Sequence, residues 1–199
     1  MFCLHARSFV KYVSFLAAFS LLMNFVAVPK VAGQKQDEKS LNTAFQDAAN
    51  EFGVPYELLA AIAYYESHFD DHNGDPSASN GYGVMHLVDN MQVQTLAEAA
   101  KLTGVDVEVL KKDTPANIRG GAALLRAYAD QDGVKDRRNL AAWYGVVARY
   151  SNASNPAVAR LYADEVNKLL NSGFSGFSPE REEIIVTAQE VEQIGRAHV

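Results

Sequence analysis

Eleven residues, Tyr56 to Glu66, constrain this chain more than any other stretch. They read Tyr-Glu-Leu-Leu-Ala-Ala-Ile-Ala-Tyr-Tyr-Glu, almost wholly apolar until the end. Pro55 stands where a helix accepts proline at its first position. A helix that is apolar all round is a central one, wrapped by other elements. Glu66 therefore falls at the C-terminal end of the core helix, where a carboxyl group is unexpected unless it has work to do.

The surrounding pattern is helical as well. Leu41, Ala44, Phe45, Ala48 and Phe52 follow the i, i+3, i+4 spacing of one face, closed by Gly53. Residues 67–87 are dense in Asp, His, Asn, Gly and Ser and predict a long loop, which inside a compact domain is usually functional. Helices are then predicted over 95–102, ended by Gly104, and over 106–112. Thr114-Pro115 reads as an N-cap followed by proline, with Ile118, Ala122, Leu125 and Tyr128 on the buried face. A further helix covers 137–150. Asn155-Pro156 caps a last one with Val158, Leu161, Tyr162, Val166 and Leu169 inward. No period-two pattern lasts before Ile184, so the fold class is all-α over 41–172. Residues 173–178 read as a glycine, serine and phenylalanine linker, with 184–191 a short strand or the start of a downstream region that the chain truncates.

The first 33 residues have a separate purpose. Arg7 and Lys11 precede an uncharged run from Tyr12 to Val28, and Val31-Ala32-Gly33 supplies small residues for a signal peptidase. The expectation is cleavage after Gly33, a polar leader over 34–40, and a product secreted or associated with the cell wall, with no stable membrane association. An uncleaved signal anchor is the alternative. Removing 33 of 199 residues leaves 166, enough for one ordinary domain. The only cysteine, Cys3, leaves with the signal, so stability must come from packing. Loss of Arg7, Lys11 and Lys30 takes the formal charge from −6 to −9. An acidic chain without a basic stripe argues against nucleic acid as a partner. Residues 194–199, Ile-Gly-Arg-Ala-His-Val, match what a common short-read sequencing adapter encodes in one frame. They are read as foreign, the natural chain continuing beyond them.

Four pieces carry the chemistry. Tyr65-Glu66-Ser67 ends the apolar helix. Asn80-Gly81-Tyr82-Gly83-Val84-Met85-His86-Leu87 follows, then Asn117-Ile118-Arg119-Gly120-Gly121, then Ala141-Ala142-Trp143-Tyr144-Gly145 with Ala148-Arg149-Tyr150. In this order they resemble the lytic transglycosylase and goose-type lysozyme superfamily, with its Glu-Ser pair, Gly-x-Gly-x-Met-Gln segment, Asn-Ile-x-x-Gly helix and Ala-Tyr-Asn segment. The resemblance covers residues 41–172. It implies a lysozyme-like helical lobe with a glycan-binding cleft, Glu66 as catalytic acid, and a cleft lined by Gly81, Gly83, Met85 and Trp143. Two positions depart from the pattern: His86 stands where the family has Gln, and Tyr144 where it has Asn. The wording around 82–87 and 143–150 also looks like the transglycosylase-like domain that precedes the zinc amidase domain in some exported N-acetylmuramoyl-L-alanine amidases.

Read without the resemblance, the same residues suit glycan cleavage. An acid that donates a proton to a glycosidic oxygen must itself be protonated, and both apolar surroundings and the negative end of a helix dipole favour that form. Glu66 is placed for both. Gly81 and Gly83 let backbone come close to a sugar. Tyr82, Trp143 and Tyr150 offer flat faces to sugar rings, although Trp143 and Tyr150, seven apart, also share a face as core residues do. Ser67, His86 and Tyr144 complete the expected substrate-binding set. His68 and His72 with Asp70, Asp71 and Asp75 lie in a loop broken by Gly74 and Pro76 and lack a third defined ligand, so neither metal nor cofactor is expected. Asp70, Asp71 or Asp75 could instead position a water. The expected partner is a peptidoglycan glycan strand. The expected activity is cleavage between N-acetylmuramic acid and N-acetylglucosamine, with a non-catalytic glycan-anchoring module as the alternative. Oligomeric state is not legible.

Overall fold

The computed structural model describes residues 40–191. The expected export signal over residues 1–33, residues 34–39 of the expected leader and residues 192–199, which include the adapter-like end, lie outside the described residues. Among those described, seven α-helices and two small hairpins form the domain, an all-α architecture as the sequence led us to expect.

Helix α1 (Leu41–Phe52) begins at Ser40, whose hydroxyl accepts from Thr43 N–H, and ends at Gly53 in the left-handed conformation. It buries Leu41, Ala44, Phe45 and Ala48 of the predicted face, with Phe52 half-buried at its end. Helix α2 (Tyr56–Ser67) buries six consecutive residues, Leu58 to Ala63, so it has no solvent face in its middle. It is enclosed by α1, by α5 (Thr114–Gln131), by α7 (Pro156–Ser172) and by a C-terminal hairpin. Leu58, Leu59 and Ile62 are each 1% exposed or less, and burying each stabilises the fold by about 1.5–3 kcal/mol.

Residues between α2 and α3 (Thr95–Thr103) are the long loop, but not a shapeless one. A 3-10 turn at His72–Gly74 is followed by a two-residue antiparallel ladder, β1 (Gly81–Tyr82) against β2 (Leu87–Val88), with Gly81 opposite Val88 and Tyr82 opposite Leu87. Helix α4 (Val107–Lys112) is capped by Asp106. The cap of α5 is Asp113, whose carboxylate accepts from Ala116 N–H at 2.7 Å, rather than Thr114. Thr114 sits one position inside the helix, and its hydroxyl donates to Asp71 of the loop instead. A 3-10 turn at Leu140–Trp143 leads into α6 (Tyr144–Tyr150).

Two expectations are corrected here. The inward stripe of α7 is Ala163, Val166, Asn167 and Leu170, while Val158 and Leu161 are more than half exposed. Apolar residues occupy two neighbouring stripes of this helix, and spacing alone does not choose between stripes one residue, about 100°, apart. The segment read as a linker is strand β3 (Phe174–Phe177), paired in register with β4 (Glu183–Val186) from Phe174 opposite Val186 to Phe177 opposite Glu183. This hairpin packs on the helical core. Ile184, Val186 and Val191 are buried, and Phe174 stacks on Tyr64 at 4.9 Å. Gly176 passes so near the Tyr64 ring that a Cβ would stand 2.7 Å from it.

The hairpin also caps the first helix. Glu182 accepts from Leu41 N–H at 2.6 Å and Asn42 N–H at 3.0 Å, placing a carboxylate on the positive end of α1. Glu182→Ala removes both acceptors and is expected to cost about 1–2 kcal/mol. That corresponds to a melting temperature lower by roughly 2–8 °C for a domain of this size. Thermal unfolding followed by circular dichroism checks it; an unchanged midpoint would mean the contact contributes nothing.

Candidate active site

Glu66 is the penultimate residue of α2. The helix stops because His68 adopts the left-handed conformation, φ 53°. The carboxyl group of Glu66, with its side chain only 15% exposed, lies in a cleft of about 300 Å³. Its two oxygens have different neighbours. Tyr162 of α7 donates its phenol O–H to Oε1 at 2.7 Å. The Nδ1 atom of His86 lies 3.2 Å from Oε2. The sequence led us to expect apolar surroundings here; the structure puts a phenol and an imidazole against the carboxyl group.

Tyr162 is fixed edge-on against Tyr65 at 5.0 Å. Burial pushes its phenol well above the ordinary tyrosine range, and the neighbouring Glu66 pushes it further. Tyr150, at the other side of the cleft, is shifted the same way, by burial first and by Glu66 second. Both phenols therefore stay neutral and act as donors. Tyr150 donates to the Met85 carbonyl at 2.8 Å, tying α6 to the turn between β1 and β2.

That turn is held from beneath by Asn117. Its Oδ1 accepts from Met85 N–H at 2.9 Å, and its Nδ2 donates to the carbonyls of Tyr82 at 2.9 Å and Leu110 at 3.0 Å. The side chain is buried, and every polar atom of its amide is used. The glycines follow from this packing. A Cβ on Gly83, which has φ +65°, would stand 2.4 Å from the Asn117 amide. One on Gly121 would stand 2.6 Å from Met85, and one on Gly81 2.1 Å from the His86 ring. Ser67, next to the acid, has its hydroxyl within reach of the carbonyls of Ala63 at 2.9 Å and Val84 at 3.1 Å, which ties the end of α2 to the same turn.

The family model for the transglycosylase SLT domain matches residues 43–161. The chain belongs to that family. Over 78 residues it is also 36% identical to membrane-bound lytic murein transglycosylase F 1 of Alkalilimnicola ehrlichii. That alignment covers 39% of this chain and 13% of the relative, so the chain matches a small part of that protein's length. Tyr162 and the β3–β4 hairpin lie just beyond the residues matched by the family model.

Within this SLT domain the predicted site residues divide into three groups. Glu66, His86 and Tyr150 line the cleft. Ser67, Gly81, Gly83 and Met85 build its wall from behind: Met85 is fully buried and contributes its backbone, and the two glycines make room for side chains. Trp143, Tyr144 and Tyr82 are not among the residues lining this cavity, and for Trp143 its burial corrects the expected sugar contact. Trp143 is completely buried, its indole N–H donating to the Arg137 carbonyl at 3.0 Å, so its ring is core. Tyr144 points to α7, where its hydroxyl donates to Asp164 at 3.0 Å; burial and that hydrogen bond raise its phenol. Tyr82 has the Lys111 ammonium 4.9 Å from its ring centre.

Sequence reasoning missed Tyr162, Tyr65, Ser79, Asn90 and Asn152 as cleft residues. Tyr162 is 96 positions from Glu66, and no local signal marks a tyrosine on an amphipathic helix as the partner of a distant acid. Asp70, Asp71 and Asp75, weighed as water-positioning groups, do not line the cleft. Asp70 and Asp71 accept from loop backbone at His72 and Asn73.

Proposed function

We propose that this SLT domain cleaves the β-1,4 bond between N-acetylmuramic acid and N-acetylglucosamine in peptidoglycan, with Glu66 serving first as acid and then as base. The observation that carries the reading is the cleft's single carboxylate: among its lining residues only Glu66 is acidic, and Tyr162 holds one of its oxygens by a hydrogen bond while His86 lies against the other. Glycosidases with two carboxylates use the second as nucleophile or base. With one, the nucleophile must come from the substrate or from an otherwise activated water. Glu66 protonates the oxygen leaving C1 of N-acetylmuramic acid as positive charge builds on that sugar. The resulting carboxylate takes the proton of the same sugar's C6 hydroxyl, whose oxygen closes on C1. The product is a 1,6-anhydro end, and no water is consumed. The name of the relative, a lytic murein transglycosylase, supports the same chemistry. Export directed by residues 1–33 would bring the domain to this substrate.

The test is mass spectrometry of purified peptidoglycan after digestion. Anhydromuramic ends, each lighter by one water than a reducing end, are the expected products. Ordinary reducing ends would make water the nucleophile. Binding to glycan without any cleavage would put the anchoring module in place of the enzyme.

A further inference from the structure

Three tyrosines line the cleft, Tyr65, Tyr150 and Tyr162, and only one of them has an open ring. Tyr150 is 5% exposed and gives its hydroxyl hydrogen to the Met85 carbonyl. Tyr162 gives its own to Glu66. Tyr65 is 38% exposed, the one exposed residue of α2. Its neighbour Tyr64 shows the same residue type used as packing: its ring lies 4.9 Å from that of Phe174 and 5.4 Å from that of Phe69. One step along the helix, about 100°, takes Tyr65 away from that cluster and into the cleft beside Glu66. The ring is held there. It meets Tyr162 edge to face, with 5.0 Å between ring centres and 87° between planes, and Tyr162 is itself tied to Glu66 Oε1 at 2.7 Å. An edge-to-face pair of this kind is attractive beyond its buried area, so the open ring is fixed in place before any ligand arrives.

We propose that Tyr65 is a substrate-binding residue whose open ring carries the N-acetylglucosamine unit that departs with the oxygen protonated by Glu66. The proposal rests on the reading of this cleft as the glycan-cleaving site. A β-linked hexosamine in its chair form has the axial hydrogens of C1, C3 and C5 on one face. They make an apolar patch that suits the electron-rich face of an aromatic ring. N-acetylglucosamine offers that patch unhindered. N-acetylmuramic acid bears a lactyl ether on O3, at the middle carbon of the patch, and the ether ends in a carboxylate or a peptide. No lysine or arginine is among the cleft residues to receive such a charge. What lies around the ring is neutral: Val88 and Val93 are apolar, and Asn90 and Asn152 are polar without charge. Apolar walls with a few uncharged polar groups suit an uncharged sugar. The stacked face of the departing sugar changes neither shape nor charge as the bond breaks. The contact is therefore made equally before and during the reaction, and its loss should raise KM more than it lowers kcat.

The experiment measures binding and cleavage separately in the full chain. Tri-N-acetylglucosamine is titrated by calorimetry into wild type, Tyr65→Ala, Tyr65→Leu and Tyr65→Phe. The Kd is expected to rise about tenfold in Tyr65→Ala and nearly as much in Tyr65→Leu, which is apolar but not flat. Tyr65→Phe keeps the face and should recover most of the loss. Saturation-transfer NMR of the bound trisaccharide should mark the C1, C3 and C5 hydrogens of one sugar most strongly, a selectivity that Tyr65→Leu should lose. On solubilised peptidoglycan strands, KM should rise about tenfold in Tyr65→Ala while kcat falls by no more than about threefold. A ring that merely props Tyr162 would lower kcat and leave trisaccharide affinity as it was. Equal affinities in wild type and Tyr65→Ala would overturn the proposal and leave the glycan-cleaving reading intact, as would a wild type that cleaves peptidoglycan but binds no trisaccharide. A loss of affinity confined to glycan containing muramic acid would put the other sugar on the ring and overturn it as well. A wild type that binds the trisaccharide through Tyr65 but never cleaves glycan would overturn the glycan-cleaving reading instead, with Tyr65 kept as a glycan-binding residue.

Discussion

Glu66→Gln should lower glycan cleavage by about 10³-fold or more while leaving the fold in place, because general acid and general base steps each contribute about 10²–10⁴-fold. Glutamine has the same shape. Its amide oxygen can still accept from Tyr162, and its side chain still fills the cleft beside His86. What it cannot do is give up and retake a proton, and no other carboxylate lines the cleft to substitute for it. The measurement is release of soluble muropeptides by wild type and variant at equal concentration, with melting temperatures in parallel. The loss should appear in kcat, since the interaction removed matters most as charge develops in the transition state. A folded variant with more than a tenth of the wild-type rate would remove Glu66 from the chemistry. Tyr162 would then need explaining as a phenol buried against a carboxylate that does nothing.

The second large effect is expected from Asn117, which touches no substrate. Asn117→Ala strands Met85 N–H and the carbonyls of Tyr82 and Leu110, three groups that its amide satisfies at 2.9–3.0 Å. Unpaired buried polar groups cost roughly 1–3 kcal/mol each, so the loss should be about 3–5 kcal/mol after partial relaxation. Melting should fall by roughly 6–20 °C in a domain of this size. Asn117→Asp is a sharper probe. It keeps an acceptor for Met85 N–H but turns the donor toward Tyr82 and Leu110 into an oxygen facing two carbonyl oxygens, so it should be no better than alanine. Because the same turn delivers His86 to Glu66, cleavage should fall with stability in both variants. Melting temperatures within about 2 °C of wild type for both substitutions would show that the turn is held by other contacts, Tyr150 to the Met85 carbonyl being the first to suspect.

Much of the helical framework was readable because its signals are local. The faces of α1 and α5, the glycine that closes α1, and the Asn155-Pro156 start of α7 depend on residues within a turn or two of one another. Misreadings arose where a residue's fate depends on something distant. The stripe that α7 buries is chosen by what it packs on, α2 and α6, and not by its own spacing. Phe174 to Phe177 reads as a flexible linker until Tyr64 and Phe69 are seen to receive Phe174. Trp143 and Tyr150 share a face at spacing seven, yet one is wholly core and the other lines the cleft.

The order of motifs was enough to single out Glu66, to place it at the end of a buried helix and to assign the all-α class, since each of these rests on residue type and short-range periodicity. Only the folded chain decided what surrounds the acid. Tyr162 arrives from 96 residues away, His86 comes round a two-residue ladder, and Gly81 and Gly83 make room for a histidine ring and an asparagine amide. The physical reason is one of range. Helix periodicity and capping act over a few residues, whereas the polarity of a site is set by whichever side chains the packing of separate helices brings within about 3 Å of it.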